Sequence, residues 1–245
     1  WIERWIKYGI DKNPGVIVDS EDHLSELQFE NRLGRLRSQF GLEAKNIPYI
    51  SHNRYYNKNN SILFSLPCTL RLLAKMLKRK DSYSFDEKVN EVVWRGSLTG
   101  RDRNGANFFL SENIESYAND IQRIKFAKAL SSKNNIKIVP FGENKYKTMQ
   151  DKKLKNLSYY DKFKKENEDL FGDSLDWFKE MCANKYILNL EGHDWPSSLI
   201  PSLASNSVTL AVMPKWHNVA NLKLERWVHY VPLKDDVSDF YQKLE

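Results

Sequence analysis

Cysteine is nearly absent: the 245 residues hold two, Cys68 and Cys182. Their separation fits no zinc or iron–sulfur spacing, and nothing in the sequence requires them to pair. Glycine is sparse as well, with ten residues. None of them falls into the dinucleotide fingerprint or the P-loop, which sets aside the two commonest nucleotide motifs. No apolar run approaches the ~18 residues of a membrane-spanning helix. The first residues lack the charged-then-apolar plan of a signal peptide. The chain begins at Trp1 rather than Met, which reads as a processed or trimmed product and leaves a lost leader open.

What is present is a globular composition. Hydrophobic residues make up 41% and aromatic residues 13%, enough for a full core and for one or two domains. The net charge of +6 favours acidic partners: sugar nucleotides, nucleic acid or an anionic membrane surface.

The chain is organised around residues 92–103, Val-Val-Trp-Arg-Gly-Ser-Leu-Thr-Gly-Arg-Asp-Arg. A short apolar strand-type run breaks into Gly, Ser and Thr, with Arg95, Arg101 and Arg103 inside nine residues. Backbone N–H groups, hydroxyls and guanidinium forks at the end of a strand suit a phosphate. A plain strand followed by a basic turn reads equally well from these residues.

Before this stretch, Val16–Val18, Ile47–Ser51 and Ile62–Phe64 read as strands, with Asn57–Asn60 as a loop. Asp19 and Asp22 follow the first strand. They are either ordinary acids at a helix start or carboxylates at the mouth of an α/β crevice. Cys68–Lys80 reads as a helix with a basic end, and the polar stretch Asp81–Asn90 as a domain boundary. After it, Ser111–Leu130 reads as an amphipathic helix capped by Ser111. Ile136–Gly142, Lys185–Gly192, Ser207–Val212 and Trp227–Leu233 read as strands or strands running into turns. Leu170–Cys182 and Lys234–Glu245 read as helices, and Asp194 or Ser197 as the cap of a short helix before Leu203. Strand-helix-strand order predicts a parallel sheet. His229 reads as a core or cleft-wall histidine, and Asp235-Asp236 as a helix start rather than a metal pair.

Lys145–Lys165 carries eight lysines against two aspartates, with Tyr146, Tyr159, Tyr160 and Phe163 between them. A solvated lysine-rich segment is the favoured reading. The alternatives are a single-stranded nucleic-acid site, with bases stacked on the aromatics, and an acceptor or membrane-surface patch.

Trp94-Arg95-Gly96-Ser97, Thr99-Gly100 and Arg103 resemble the Trp/Phe-Arg-Gly-Ser box of glycosyltransferase family 90. That family includes Rumi-type protein O-glucosyltransferases, fungal capsule xylosyltransferases and bacterial lipopolysaccharide-modifying relatives. Residues 185–192, 203–208 and 227–239 resemble its later boxes, in the same order. The resemblance implies a GT-B-type α/β fold: two Rossmann-like halves facing a cleft, here 1–90 on the acceptor side and reduced, and 91–245 holding the donor. It implies inverting transfer of a sugar of glucose or xylose type from a UDP-sugar to a glycan, glycolipid or protein hydroxyl, without metal or cofactor.

By position, the resemblance gives Arg95, Ser97, Thr99, Gly100, Arg103, Gly192 and Asp194 to the donor. It gives Asp22 the role of catalytic base, with Asp19 a close rival. The arginine that animal members carry a few residues after the glycine of the Lys-Tyr strand, here 185–192, is missing: the matching place is near Ser198, and no Arg occurs between Gly192 and Arg226. A nucleotide-sugar binder without turnover is therefore an alternative. The resemblance fits a cytoplasmic or peripheral membrane enzyme in a bacterial setting, a secretory-pathway lumen in a eukaryotic one, and no nucleic-acid partner.

Overall fold

The computed structural model describes residues 17–19, 49–51, 54–55, 61–63, 74–75, 78–100, 121–151, 157–192, 196–213, 216–217 and 223–245. The chain packs as two units, 1–71 with 215–223 and 72–214 with 224–245. Among the described residues, no helix is long and apolar enough to cross a membrane.

In the first unit, three short β-type runs form one parallel sheet. These are β1 (Ile17–Asp19), β2 (Tyr49–Ser51) and β4 (Ser61–Leu63), in the order β1-β2-β4; β3 (Arg54–Tyr55) lies outside that sheet. Asp19 is in register with Ser51, and Ser51 with Leu63, so Asp19 ends its strand on the carboxyl edge.

The second unit is built on β5 (Val89–Ser97), β6 (Asn135–Val139), β7 (Asn184–Asn189), β8 (Val208–Ala211) and β10 (Val231–Pro232). All five are parallel, in the order β10-β8-β7-β5-β6. The intervening β9 (Trp216–His217) belongs to the first unit and pairs antiparallel with β3, a ribbon the sequence did not suggest. Alternation along β5 serves two cores. Val92 and Trp94 face the main cluster, and Val93 packs with Ile187 and Met181 in the other. Burial on both faces is why the strand reads as a continuous apolar run.

Helix α1 (Gln122–Leu130) links β5 to β6 and buries Ile124, Phe126, Ala127 and Leu130. The predicted helix over 111–130 is corrected here. Ile121 is extended (φ −68°, ψ 125°), so the helix starts at Gln122; Ser111 lies outside the described residues. Helices α2 (Glu143–Asp151) and α3 (Leu157–Glu166) follow β6, and α4 (Leu199–Leu203) precedes β8.

Three further expectations change. Residues 170–182 are not one helix. A 3-10 turn at Glu168–Leu170 gives way to extended chain, where Gly172 N–H donates to the Ile138 carbonyl at 3.1 Å. A π-turn then runs over Trp177–Met181, with the Asp176 carboxylate accepting from the N–H groups of Phe178 and Lys179. Residues 227–230 are a tight turn, not strand: Trp227 has φ 66° and its N–H donates to the Tyr230 carbonyl at 2.8 Å. His229 is exposed there, and its Nδ1 accepts from the Glu225 N–H, so it is not a core histidine. The last segment is a chain of turns ending in a 3-10 turn at Tyr241–Lys243. Val237 at φ 68° is incompatible with a helix, yet Phe240 is buried as its pattern requires.

The Asp81–Lys88 connector is anchored by charge. Lys88 and Asp81 form a 2.6 Å pair with side chains 0% and 3% exposed. Lys88 also donates to the Cys182 carbonyl, and Asp81 accepts from the Asn206 N–H at 2.9 Å.

Candidate active site

The sheet order places a topological switch point in the second unit. The chain leaves β5 for β6 on one side and returns to β7 on the other. Ligands of open α/β sheets bind where the carboxyl ends of two such strands diverge. Here those ends are the loops Ser97–Gly100 after β5 and Leu190–Gly192 after β7.

The Trp-Arg-Gly-Ser sequence builds the first loop by close packing. Trp94 and Gly96 share one face of β5, as residues two apart do. The indole lies so close over Gly96 that a Cβ there would meet Trp94 Cζ2 at 2.5 Å. The guanidinium carbon of Arg123 lies 5.7 Å from the centroid of the same indole ring.

From the first turn of α1, Arg123 reaches both loops. Its Nη1 donates to the Ser97 carbonyl at 2.8 Å and to Thr99 Oγ1 at 2.6 Å. Its Nε donates to the Glu191 carbonyl at 2.8 Å, and its Nη2 to the Leu190 carbonyl at 3.4 Å. The neighbouring Gln122 Oε1 accepts from the Glu191 N–H at 2.8 Å. Gly192 gives the fork its room, since a Cβ on it would be 2.8 Å from Arg123 Nη2 and 3.5 Å from Thr99 Oγ1. Gly100, at φ 154°, would place a Cβ 3.9 Å from the Gly192 carbonyl, so the two loops meet.

The floor below is polar and buried. Asn189, at the end of β7, donates from Nδ2 to Ser202 Oγ at 3.0 Å, and its Oδ1 accepts from Ser198 Oγ at 2.7 Å. Ser198 is the residue before α4, in place of the caps predicted at Asp194 or Ser197, and its side chain makes no cap bond.

Four of the predicted donor residues thus converge: Ser97, Thr99, Gly100 and Gly192. Arg95 points elsewhere. It is in register with Lys137, but its fork reaches back to the start of β6, donating to the Asn135 carbonyl at 2.7 Å and Asn135 Oδ1 at 2.6 Å. Its Nε donates to the Asp173 carbonyl at 3.0 Å. Burial pushes the Arg95 pKa down, opposed by the charges of Glu91, Glu180 and Asp173. Asp19 ends β1 in the first unit. Asp22, Arg103 and Asp194 lie outside the described residues.

Arg123 escaped the sequence reading. The available signal was an arginine in the first turn of a helix that has no acid there, against the charge pattern a helix start favours.

The profile of glycosyl transferase family 90 matches residues 69–245. The chain belongs to glycosyl transferase family 90. It is 36% identical over 67 residues to O-glucosyltransferase LpsA of Dichelobacter nodosus, covering 27% of this chain and 21% of that protein. It is 23% identical over 163 residues to Protein O-glucosyltransferase 2 of Danio rerio, covering 66% of this chain and 25% of that protein. Uncharacterized protein 179R of Invertebrate iridescent virus 6 is 24% identical over 176 residues, covering 68% of this chain and 14% of that protein. The matches therefore span between 14% and 25% of these relatives' lengths.

The family match covers both switch-point loops and α1. Among the described residues of 145–165, the aromatics invoked for a nucleic-acid site turn toward the core. Tyr160 and Phe163 are buried, and Tyr146 and Tyr159 pack against the main core. Tyr160 stacks on Phe141 with centroids 4.8 Å apart. The buried rings of Tyr160 and Phe163 offer no platform to bases.

Proposed function

We propose that this chain carries the donor-binding and transfer machinery of an inverting glycosyltransferase. It moves a sugar of glucose or xylose type from a UDP-sugar to a hydroxyl of a glycan, glycolipid or protein acceptor. The observation that carries this reading is the coincidence of the family match with a pair of joined loops at the switch point of a parallel sheet. The names of two relatives, both O-glucosyltransferases, favour glucose.

In this scheme the Ser97–Gly100 loop and Arg103 receive the donor diphosphate, while Gly192 and Asp194 approach the nucleotide or its sugar. Arg95, bonded to carbonyls of β6 and of the loop at Asp173, contributes by anchoring β5. The acceptor oxygen attacks the anomeric carbon, its proton passes to a carboxylate, and the bond to the diphosphate breaks with its electron pair leaving on UDP. Asp22 is the proposed base, with Asp19 the rival. Arginine charge and backbone N–H groups stabilise the leaving group, so transfer proceeds without a metal. Residues 1–90 take the acceptor role and residues 91–245 the donor role, as the halves of a GT-B enzyme. The lysine-rich surface suits a peripheral position on an anionic membrane.

The test is UDP release from UDP-glucose and UDP-xylose, with and without EDTA. Arg103→Ala should lose about 1.5–3 kcal/mol of transition-state stabilisation, roughly 10- to 150-fold in kcat/KM. Asp22→Asn should abolish transfer while donor binding persists. Normal turnover by either variant removes that residue from the scheme. Donor binding without any UDP release would make the chain a binding protein only.

A further inference from the structure

We infer that Arg123 is a positioning residue that locks the two switch-point loops into one arrangement, and that residue 192 is glycine to let it do so. The role in donor binding rests on the glycosyltransferase reading; the clasp itself does not. Four acceptors from two loops converge on one guanidinium: the Ser97 carbonyl and Thr99 Oγ1 after β5, and the Leu190 and Glu191 carbonyls after β7. These loops leave neighbouring strands but are separated in sequence by some ninety residues, so no local turn fixes their relation. A planar fork with several N–H donors can hold such a spread of oxygens, and a lysine ammonium on a flexible stem cannot.

The surroundings are shaped for that fork. Trp94 forms a wall beside it, and the indole can lie there because residue 96 has no side chain. Gln122 completes the clasp by accepting from the Glu191 N–H, so α1 engages both backbone groups of that residue. On the other side, any side chain at 192 would displace Arg123 Nη2. Arg123 and Gly192 are thus two parts of one device, and damage to either should have the same consequence. The guanidinium also sets a positive charge against four oxygens that would otherwise repel an anion at the crevice.

The experiment compares Arg123→Lys, Gly192→Ala and the double variant in the full chain. Hydrogen exchange without ligand reads the clasp. Both single variants should speed exchange at 97–100 and at 190–192 together, leaving β6 and α3 unchanged. Calorimetry with UDP and steady-state kinetics read its use. Each single variant should raise the donor KM about tenfold or more, with kcat at saturating donor changed far less. The double variant should be no worse than the worse single one, since both break the same contact.

Faster exchange in one loop only, or effects that multiply in the double variant, would overturn the inference. So would an Arg123→Lys variant that binds UDP as the wild type does. If the wild type binds no nucleotide, the donor reading fails by itself, and the exchange pattern still decides whether the clasp exists.

Discussion

Asp81 and Lys88 show what a single buried charge does in this chain. Burial alone pushes the Asp81 carboxyl pKa up. The hydrogen bond from Lys88, with N–H groups of Tyr83 and Asn206, more than offsets this and holds it below its ordinary value. A carboxyl whose folded value is depressed contributes stability above its unfolded value, near 3.8. That contribution is lost as pH falls through the lower folded value. Asp81→Ala leaves a buried ammonium without its partner and should cost about 3–5 kcal/mol in chemical denaturation at pH 7. It should also flatten the acid limb of the stability profile below about pH 4. A variant with wild-type stability and an unchanged acid limb would show that the pair is not buried as described.

Cys182, whose carbonyl accepts from Lys88, carries a thiol pushed up to about 11 by burial. At pH 8 only about one molecule in a thousand would hold the reactive thiolate. Alkylation followed by peptide mass spectrometry should therefore find Cys182 unmodified in the native chain and labelled after denaturation. Rapid native labelling would contradict its burial.

Among elements, α3 separates two uses of a lysine-aromatic sequence. Its aromatics form its inner face, and its lysines lie outside; Lys162, for instance, makes an exposed pair with Glu166. Phe163→Ala should cost about 3–5 kcal/mol, as for other buried aromatics. Lys164→Ala and Lys165→Ala should each stay within about 0.5 kcal/mol. Thermal denaturation distinguishes these cases, and equal losses at Phe163 and Lys164 would contradict the packing.

Elements with a simple period were legible in the sequence. The strands β1, β2, β4, β5, β6, β7 and β8 all fall on apolar runs read as strands, and in β5 burial on both faces leaves the run uninterrupted. What escaped detection depended on individual turn bonds, to side chains and to the backbone, that leave no period. The 225–230 turn follows from the Glu225–His229 and Trp227–Tyr230 bonds, although Trp-Val-His-Tyr-Val alternates like a strand. The π-turn held by the Asp176 carboxylate is of the same kind, whereas the break at Ile121 has no side-chain cap bond.

On the scale of the whole chain, the candidate site lies where the sheet order reverses. The residues of the central box were legible as a candidate phosphate site because Gly, Ser and Thr follow a strand. Their partner on α1 was not, because Arg123 reaches the site only after the chain has folded back through residues distant in sequence. Arg95 was the opposite case. Its place in the box suggested the ligand, and its fork turned out to bond the backbone carbonyl and side-chain oxygen of Asn135, two residues back along β6. Strand order, which no local pattern carries, decides both.

The most direct measurement is thermal stability of the chain against UDP, GDP, CMP and their sugars, each with and without EDTA. A ligand at about 100 times its dissociation constant stabilises by about 2.7 kcal/mol, a readily visible shift. UDP and UDP-sugars alone should stabilise the chain, and by the same amount with EDTA. No shift with any nucleotide would contradict a donor site at the loops after β5 and β7, and a shift abolished by EDTA would contradict metal-independent binding.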